Sequence, residues 1–380
     1  MQRIYLDWNA TTPPSDEVLD AMREAAREAW GNPASVHGHG RAARARVEDA
    51  REAVAVMAGV DGRDVVLTSG GTEANNLALR SVVTSTPEGP RPRILTTRIE
   101  HPSIVKTAEA MEREGLATVR WLAVTESGHV ELEDVARALG EPGGAALVSV
   151  QAVNHETGAI QPLEAIAALL PAETYLHVDA VQAWGKVVFA TKVATLMSVA
   201  AHKLRGPKGI GALVTRPCIR LEPILRGGAQ ERGLRPGTVD PVAASGMGAA
   251  ARAAPVAATR RDGVRALRDR LEASILALTP AATVNGSGPR AEHVTNISFA
   301  GWLGPELVAA LDLEGVSVSS GSACSAGTSD PSPVIEAMVG RARARSAVRF
   351  SLGETTSSAD VDDAVKVLQR VLARTLPQGV

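Results

Sequence analysis

Two hydrophobic periods divide this chain. Between Ser15 and Ala29 the apolar positions recur at helical spacing; Ser15 suits an N-cap, Asp16 and Glu17 suit the positive helix start, and Gly31-Asn32-Pro33 ends the segment. A second helical pattern runs through RAARARVEDAREAVAVMAG. Beyond it, short apolar runs (DVVLTS, RILTT, TVRWLAV, AALVSVQAV, TYLHVDA and ATLMSVAA) alternate with helical stretches, and GPKGIGALVTR adds a turn and a final antiparallel strand. Nearly continuous apolar strands separated by helices predict a mainly parallel sheet covered on both faces. After about residue 255 the character changes. A long charged helix, TRRDGVRALRDRLEASILAL, precedes TNISFAG, GPELVAALDLEG, VSVSSGSAC, SAVRFSLG and a closing helix from about Ser358. The predicted fold is α/β: a large domain over 14–255 with a seven-stranded type of sheet flanked by helices, followed by a smaller α+β domain.

Composition narrows the function classes. The 380 residues carry a formal charge of −2, which gives no electrostatic reason to expect nucleic-acid or membrane-surface binding. No apolar run is long enough to span a bilayer, and MQRIYLDWNATTPP has no apolar signal-peptide core, so a cytoplasmic location is expected. With two cysteines, Cys218 and Cys324, neither a disulfide framework nor a four-cysteine zinc site is available. Only six of the 40 basic residues are lysines, which leaves few candidates for amine chemistry.

Several polar residues fall at the carboxyl ends of the predicted strands, where open α/β sheets bind ligands. Gly70-Gly71-Thr72-Glu73 follows DVVLTS and opens a helix; its amides and the Thr72 hydroxyl suit a phosphate, although a tight strand–helix turn asks for the same glycines. Asp179 ends TYLHVD, with Gln182 three residues on; a buried carboxylate there meets a cation such as a pyridinium nitrogen, or caps a helix. His202 and Lys203 follow ATLMSVAA, and a lysine beside an apolar strand end suits Schiff-base chemistry better than Lys208 in its glycine-flanked turn. His101, Asn154 and His155 arrive in the same way. Cys324 lies in SVSSGSACSAGTSDPS, a composition that suits an exposed thiol, whereas Cys218 reads as a packing residue. Arg349, inside the apolar run AVRFSLG, requires a carboxylate partner, internal or from a substrate. A phosphate cradle, an acid and a lysine at one sheet edge suggest pyridoxal phosphate.

The chain resembles cysteine desulfurases of the NifS/IscS type, within the class V aminotransferase-like, fold-type I pyridoxal-phosphate enzymes. The resemblance runs nearly end to end through YLDWNATTP, WGNPASVHGHGRAA, LTSGGTEANNLAL, EHPSI, VNHETGAIQPL, HVDAVQAWGK, AAHKLRGPKGIGAL, GGAQERGLRPGT, NISF, VSSGSACSAG and VRFSLG. It implies conversion of L-cysteine to L-alanine, with the sulfur held on Cys324 as a persulfide for an acceptor protein. It further implies that Lys203 links covalently to pyridoxal 5'-phosphate, Asp179 pairs with the ring nitrogen, Gln182 contacts the ring hydroxyl, and His101 stacks on the ring and moves protons. Gly71, Thr72 and His202 would hold the phosphate, helped by Thr238 of the neighbouring subunit in a homodimer. Asn154 and Arg349 would grip the substrate carboxylate, and residues 1–13 would join 256–380 in the small domain that carries the cysteine loop.

Three departures from the family pattern stand out. Ala200 replaces a usual serine, which removes one phosphate hydrogen bond; Arg205 stands where a tyrosine is common; and only 27 residues follow the FSLG motif, fewer than in members whose tail docks an iron–sulfur scaffold. The last suggests a dedicated pathway, with iron–sulfur assembly, tRNA thiolation and DNA phosphorothioation as the candidate destinations. The rival readings are a selenocysteine lyase, an aminotransferase or a non-catalytic sulfur relay; the SSGSAC loop opposes the first two and Lys203 the third. A nicotinamide-binding Rossmann enzyme fits least, since GGTEANN lacks the spaced glycine fingerprint.

Overall fold

The computed structural model describes residues 3–85, 91–216, 219–257, 261–321 and 330–374; Cys218 and Cys324 lie outside them. Twelve strands occur in this part of the chain. They are β1 (Ile4–Tyr5), β2 (Val65–Thr68), β3 (Arg93–Thr97), β4 (Thr118–Leu122), β5 (Leu147–Gln151), β6 (Tyr175–Asp179), β7 (Leu196–Ala200), β8 (Gly211–Thr215), β9 (Ala282–Val284), β10 (Val294–Phe299), β11 (Val316–Ser317) and β12 (Ala347–Ser351).

Seven of them form one sheet in the order β2-β8-β7-β6-β5-β3-β4. Strands β3 to β7 pair in parallel, and β8 runs antiparallel to both β7 and β2, so six strands point one way and β8 alone opposes them. These are the seven runs predicted from hydrophobicity. Successive side chains along a strand face opposite sides. Val65, Leu67, Leu95, Val148, Met197 and Val214 accordingly pack on one face with Val18, Val47, Val54 and Met247, from helices Asp16–Glu28, Gly38–Ala58 and Pro241–Ala257. Val66, Ile94, Leu147, Leu196 and Leu213 face the other way, onto Leu77, Ile104 and Met111 of helices Gly71–Ser85 and Pro102–Arg113. Both faces are covered, which is why the strands read as unbroken apolar runs.

A second core gathers Leu271, Ile297, Phe299, Leu307, Phe350 and Leu368, where the antiparallel sheet β12-β10-β9 meets helices Arg261–Leu278, Gly304–Leu313 and Ser358–Arg374. The chain start reaches this core: β1 pairs in parallel with β11, and Leu6 is fully buried in the cluster. The run VSVSSG yields only the two-residue β11, because its partner strand is itself two residues long.

Candidate active site

Because β2, β3, β5, β6 and β7 are parallel, their carboxyl ends open onto one edge of the sheet. A cavity of about 230 Å³ lies there, and its wall includes Gly71, Thr72, His101, Asp179, Gln182, His202, Lys203 and Arg349. Eight positions singled out from the sequence therefore surround one space.

Asp179, the last residue of β6, is buried. Its Oδ1 accepts from the Val181 N–H at 3.0 Å and its Oδ2 from Asn75 Nδ2 at 2.8 Å. Both of these donors are neutral. A buried carboxylate held by neutral donors suits a ligand that brings a positive charge, as a protonated pyridine nitrogen does. The helix Gly71–Ser85 begins at the cavity wall, and a Cβ at Gly71 would stand 2.7 Å from Val181 Cγ2. The glycine thus serves the tight turn and also keeps the helix start, with its free N–H groups, against the cavity. Lys203 follows β7 in a short helical turn, and its Nζ donates to the carbonyls of Asn9 and Ala10, 2.8 Å from the latter. Amine, buried acid and anion-binding helix start together fit pyridoxal phosphate.

His101 caps the helix Pro102–Arg113: its Nδ1 accepts from the Ser103 N–H at 3.1 Å, which leaves the proton of a neutral ring on Nε2. Burial lowers its pKa and the charge of Lys203 adds to this, against the opposing pull of Asp179, so the ring is neutral near pH 7. His202 is lowered further, to about 4, by burial and by Lys203, Lys186 and Lys208. A neutral His202 retains one N–H to offer an anion.

Arg349 on β12 finds the internal carboxylate its burial demands. Its NH2 donates to Asp7 Oδ1 at 2.6 Å and its NH1 to the His155 carbonyl at 3.0 Å, while Nε has no partner among the described residues. Asn154, expected to grip the substrate carboxylate, is not among the residues that line this cavity. It is fully buried; its Oδ1 accepts from the Glu156 and Thr157 N–H groups, each at 2.9 Å, and its Nδ2 donates to the Ile99 carbonyl. The Oδ1 thus fixes its own turn, while Nδ2 keeps one further hydrogen. Thr238 is exposed and borders a separate groove with Asn32, Pro33 and Arg44.

Sequence reasoning missed Asn9, Asn75 and Lys186. Asn75 donates to both Asp179 and Ser103, each at 2.8 Å. Asn9 joins both parts of the molecule: its Nδ2 donates to the His155 carbonyl, its Oδ1 meets His293 Nε2 at 2.8 Å, and its N–H donates to Ser351 Oγ. Both asparagines sit inside motifs, YLDWNATT and GGTEANN, that were noticed for other residues. Arg205 also acquires a structural account. Its backbone is left-handed at φ 62°, its N–H donates to Thr12 Oγ1, and its guanidinium pairs with Glu354 at 3.0 Å.

Residues 4–364 match the family described as aminotransferase class-V. A cysteine desulfurase of Cereibacter sphaeroides is 40% identical over 379 residues, which are 98% of this chain and 96% of that protein. A solved NifS-like protein superposes with a TM-score of 0.90 at 32% identity, covering 98% of this chain and all of that one. The solved structure of SspA in complex with cysteine superposes with a TM-score of 0.78 at 28% identity, over 93% and 99% of the two chains.

Proposed function

As a member of the class V aminotransferase family, and within it a pyridoxal-phosphate-dependent cysteine desulfurase, this chain turns L-cysteine into L-alanine, and we propose which of its residues perform each part. The observation that carries the assignment is the convergence of Lys203, Asp179, His101, Thr72 and Arg349 on one cavity. When bound, pyridoxal phosphate supplies a sink for the electron pair left on the substrate α-carbon. Lys203 holds the cofactor, Asp179 accepts from its ring nitrogen, and Gln182 donates to its ring oxygen. Gly71, Thr72 and His202 receive the phosphate together with Thr238 of a second subunit, and the chain works as a homodimer.

Arg349 binds the substrate carboxylate. The two guanidinium nitrogens engaged by Asp7 and His155 hold it in place, and a bound cysteine in the SspA structure supports the same substrate here. Lys203 would be the amine that removes the substrate α-proton, with neutral His101 lining the same cavity to carry protons through Nε2. The Cys324 thiolate attacks the substrate sulfur, and the Cβ–Sγ bond breaks with its electron pair left on the three-carbon fragment. That fragment takes up protons to become alanine, and the sulfur stays on Cys324 as a persulfide. The division into domains 14–255 and 1–13 with 256–380 is part of this proposal, as is a cytoplasmic location. The persulfide passes to an acceptor protein, with iron–sulfur assembly, tRNA thiolation and DNA phosphorothioation as the candidate ends.

Purified protein incubated with L-cysteine is expected to release alanine and to carry extra sulfur at Cys324, mapped by peptide mass spectrometry. Lys203→Ala abolishes both results. Full desulfuration by Cys324→Ala in the presence of a thiol acceptor would overturn the assignment of the persulfide.

A further inference from the structure

The second lysine near the cavity has no part in the scheme above. Lys186 lies four residues after Gln182 in the turn that leaves β6. This turn is closed by the Ala183 and Trp184 N–H groups donating to the Ala180 carbonyl and by the Lys186 N–H donating to that of Ala183. Residues four apart on such a turn share a face. Gly185, at φ 69°, brings the turn against the helix Pro241–Ala257, where a Cβ would stand 3.3 Å from Ala254 Cβ. Lys186 thereby borders an adjoining cavity of about 350 Å³, and its Nζ donates to Gln182 Oε1 at 2.6 Å. On the other side, Gln182 Nε2 donates to the Asn9 carbonyl at 2.9 Å.

These two contacts decide which way round the amide sits. Its oxygen and nitrogen ends have the same shape and differ only in hydrogen bonding. An ammonium group only donates and a carbonyl only accepts, so Lys186 selects the oxygen and Asn9 the nitrogen. Nε2 keeps one further hydrogen, and Gln182 lines the cofactor cavity. We propose that Lys186 is a positioning residue: by holding Gln182 Oε1, it makes the amide present a donor rather than an acceptor to the ring oxygen of the cofactor. This rests on the assignment of Gln182 to that oxygen. Lys203, His293, Glu17, Glu292 and Glu354 line the same adjoining cavity as Lys186. Burial, followed by Lys203 and Arg349, lowers its pKa, and its charge in turn lowers those of His202 and His293. The selection belongs to the charged form, since a neutral amine can accept as well as donate.

A donor on the ring oxygen makes that oxygen less basic, so removing it raises the pH at which the lysine-linked cofactor loses its proton and its yellow absorbance. Spectrophotometric titration of the loaded Lys186→Met protein is expected to place this midpoint about one pH unit above that of the wild type, the scale of one hydrogen bond to a charged group. Gln182→Leu raises it as well, and adding Lys186→Met to Gln182→Leu moves it no further. Should Lys186→Met not fold, Lys186→Ala leaves room beside the adjoining cavity, and added ethylammonium is expected to bring its raised midpoint back down. A shift in Gln182→Leu with none in the Lys186 variants overturns the inference and leaves the Gln182 assignment standing. No shift in any of them overturns both.

Discussion

Ala200 shows how one methyl group bears on the whole site. It ends β7, is buried, and lines the cavity; a Cβ built on Gly71 would stand 3.6 Å from its own. Position 200 therefore faces the helix start that is proposed to receive the phosphate, and an alanine there offers contact but no hydrogen bond. Restoring the serine that the family pattern prefers adds one donor to a charged acceptor at little steric cost. Ala200→Ser is expected to tighten pyridoxal phosphate binding by about tenfold, on the scale of one such bond. Titration of apoprotein fluorescence would measure this, and an unchanged dissociation constant would place the phosphate elsewhere. Arg205 fits the same neighbourhood differently: its left-handed backbone is uncommon for a side chain of its size, and its pairing with Glu354 offsets that cost.

At the scale of elements, the edge of the large sheet needs protection, because β2 is an end strand with unpaired N–H and C=O groups on one side. Arg51 and Glu231 supply it. Arg51 NH1 donates to the Val65 carbonyl at 2.9 Å, Glu231 Oε2 accepts from the Leu67 N–H at 2.8 Å, and the two side chains pair bidentately at 2.6 and 2.7 Å. Both are buried, so neither charge has water as an alternative partner. Glu231→Ala leaves the guanidinium only Glu48 and the Val65 carbonyl and bares the Leu67 N–H at the strand edge. It is expected to cost about 3 kcal/mol in urea denaturation; a cost under about 1 kcal/mol would show that solvent reaches the pair. This device was not visible in the sequence, since GGAQERG reads as a loop and its partner lies 180 residues away. The seven strands were visible because burial on both faces writes itself into every residue of a strand. Lys203, Asp179 and His101 were visible because each lies at the end of such a strand or within four residues of it. Asn9 and Lys186 were not, because their importance depends on where the chain start and a turn meet the sheet edge. Asn154 stood at the right strand end, and the Glu156 and Thr157 N–H groups that fix its Oδ1 are contacts that residue type alone does not reveal.

The whole molecule raises the question of what completes the cofactor cavity, since Thr238 lies outside it on the same chain. Thr238 is exposed beside Asn32 and Pro33, and the segment around them leaves Trp30 64% and Val36 85% exposed, a large apolar area for a lone subunit to show to water. A second copy of the chain seated on this surface would cover those side chains and bring each Thr238 towards the cavity of the other subunit. Sedimentation is therefore expected to give twice the 39.5 kDa mass of one chain. Thr238→Ala is expected to weaken cofactor binding by about fivefold, the worth of one hydroxyl bond. Mixing separates a contribution across the interface from one made within a subunit. Dimers formed between Lys203→Ala and Thr238→Ala chains contain one site with a native Lys203 from one chain and a native Thr238 from the other. That site should bind pyridoxal phosphate with wild-type affinity, although neither parent does. If the mixed dimers bind no better than Thr238→Ala alone, the hydroxyl acts within its own subunit or not at all, and the cavity must draw its phosphate donors from Gly71, Thr72 and His202.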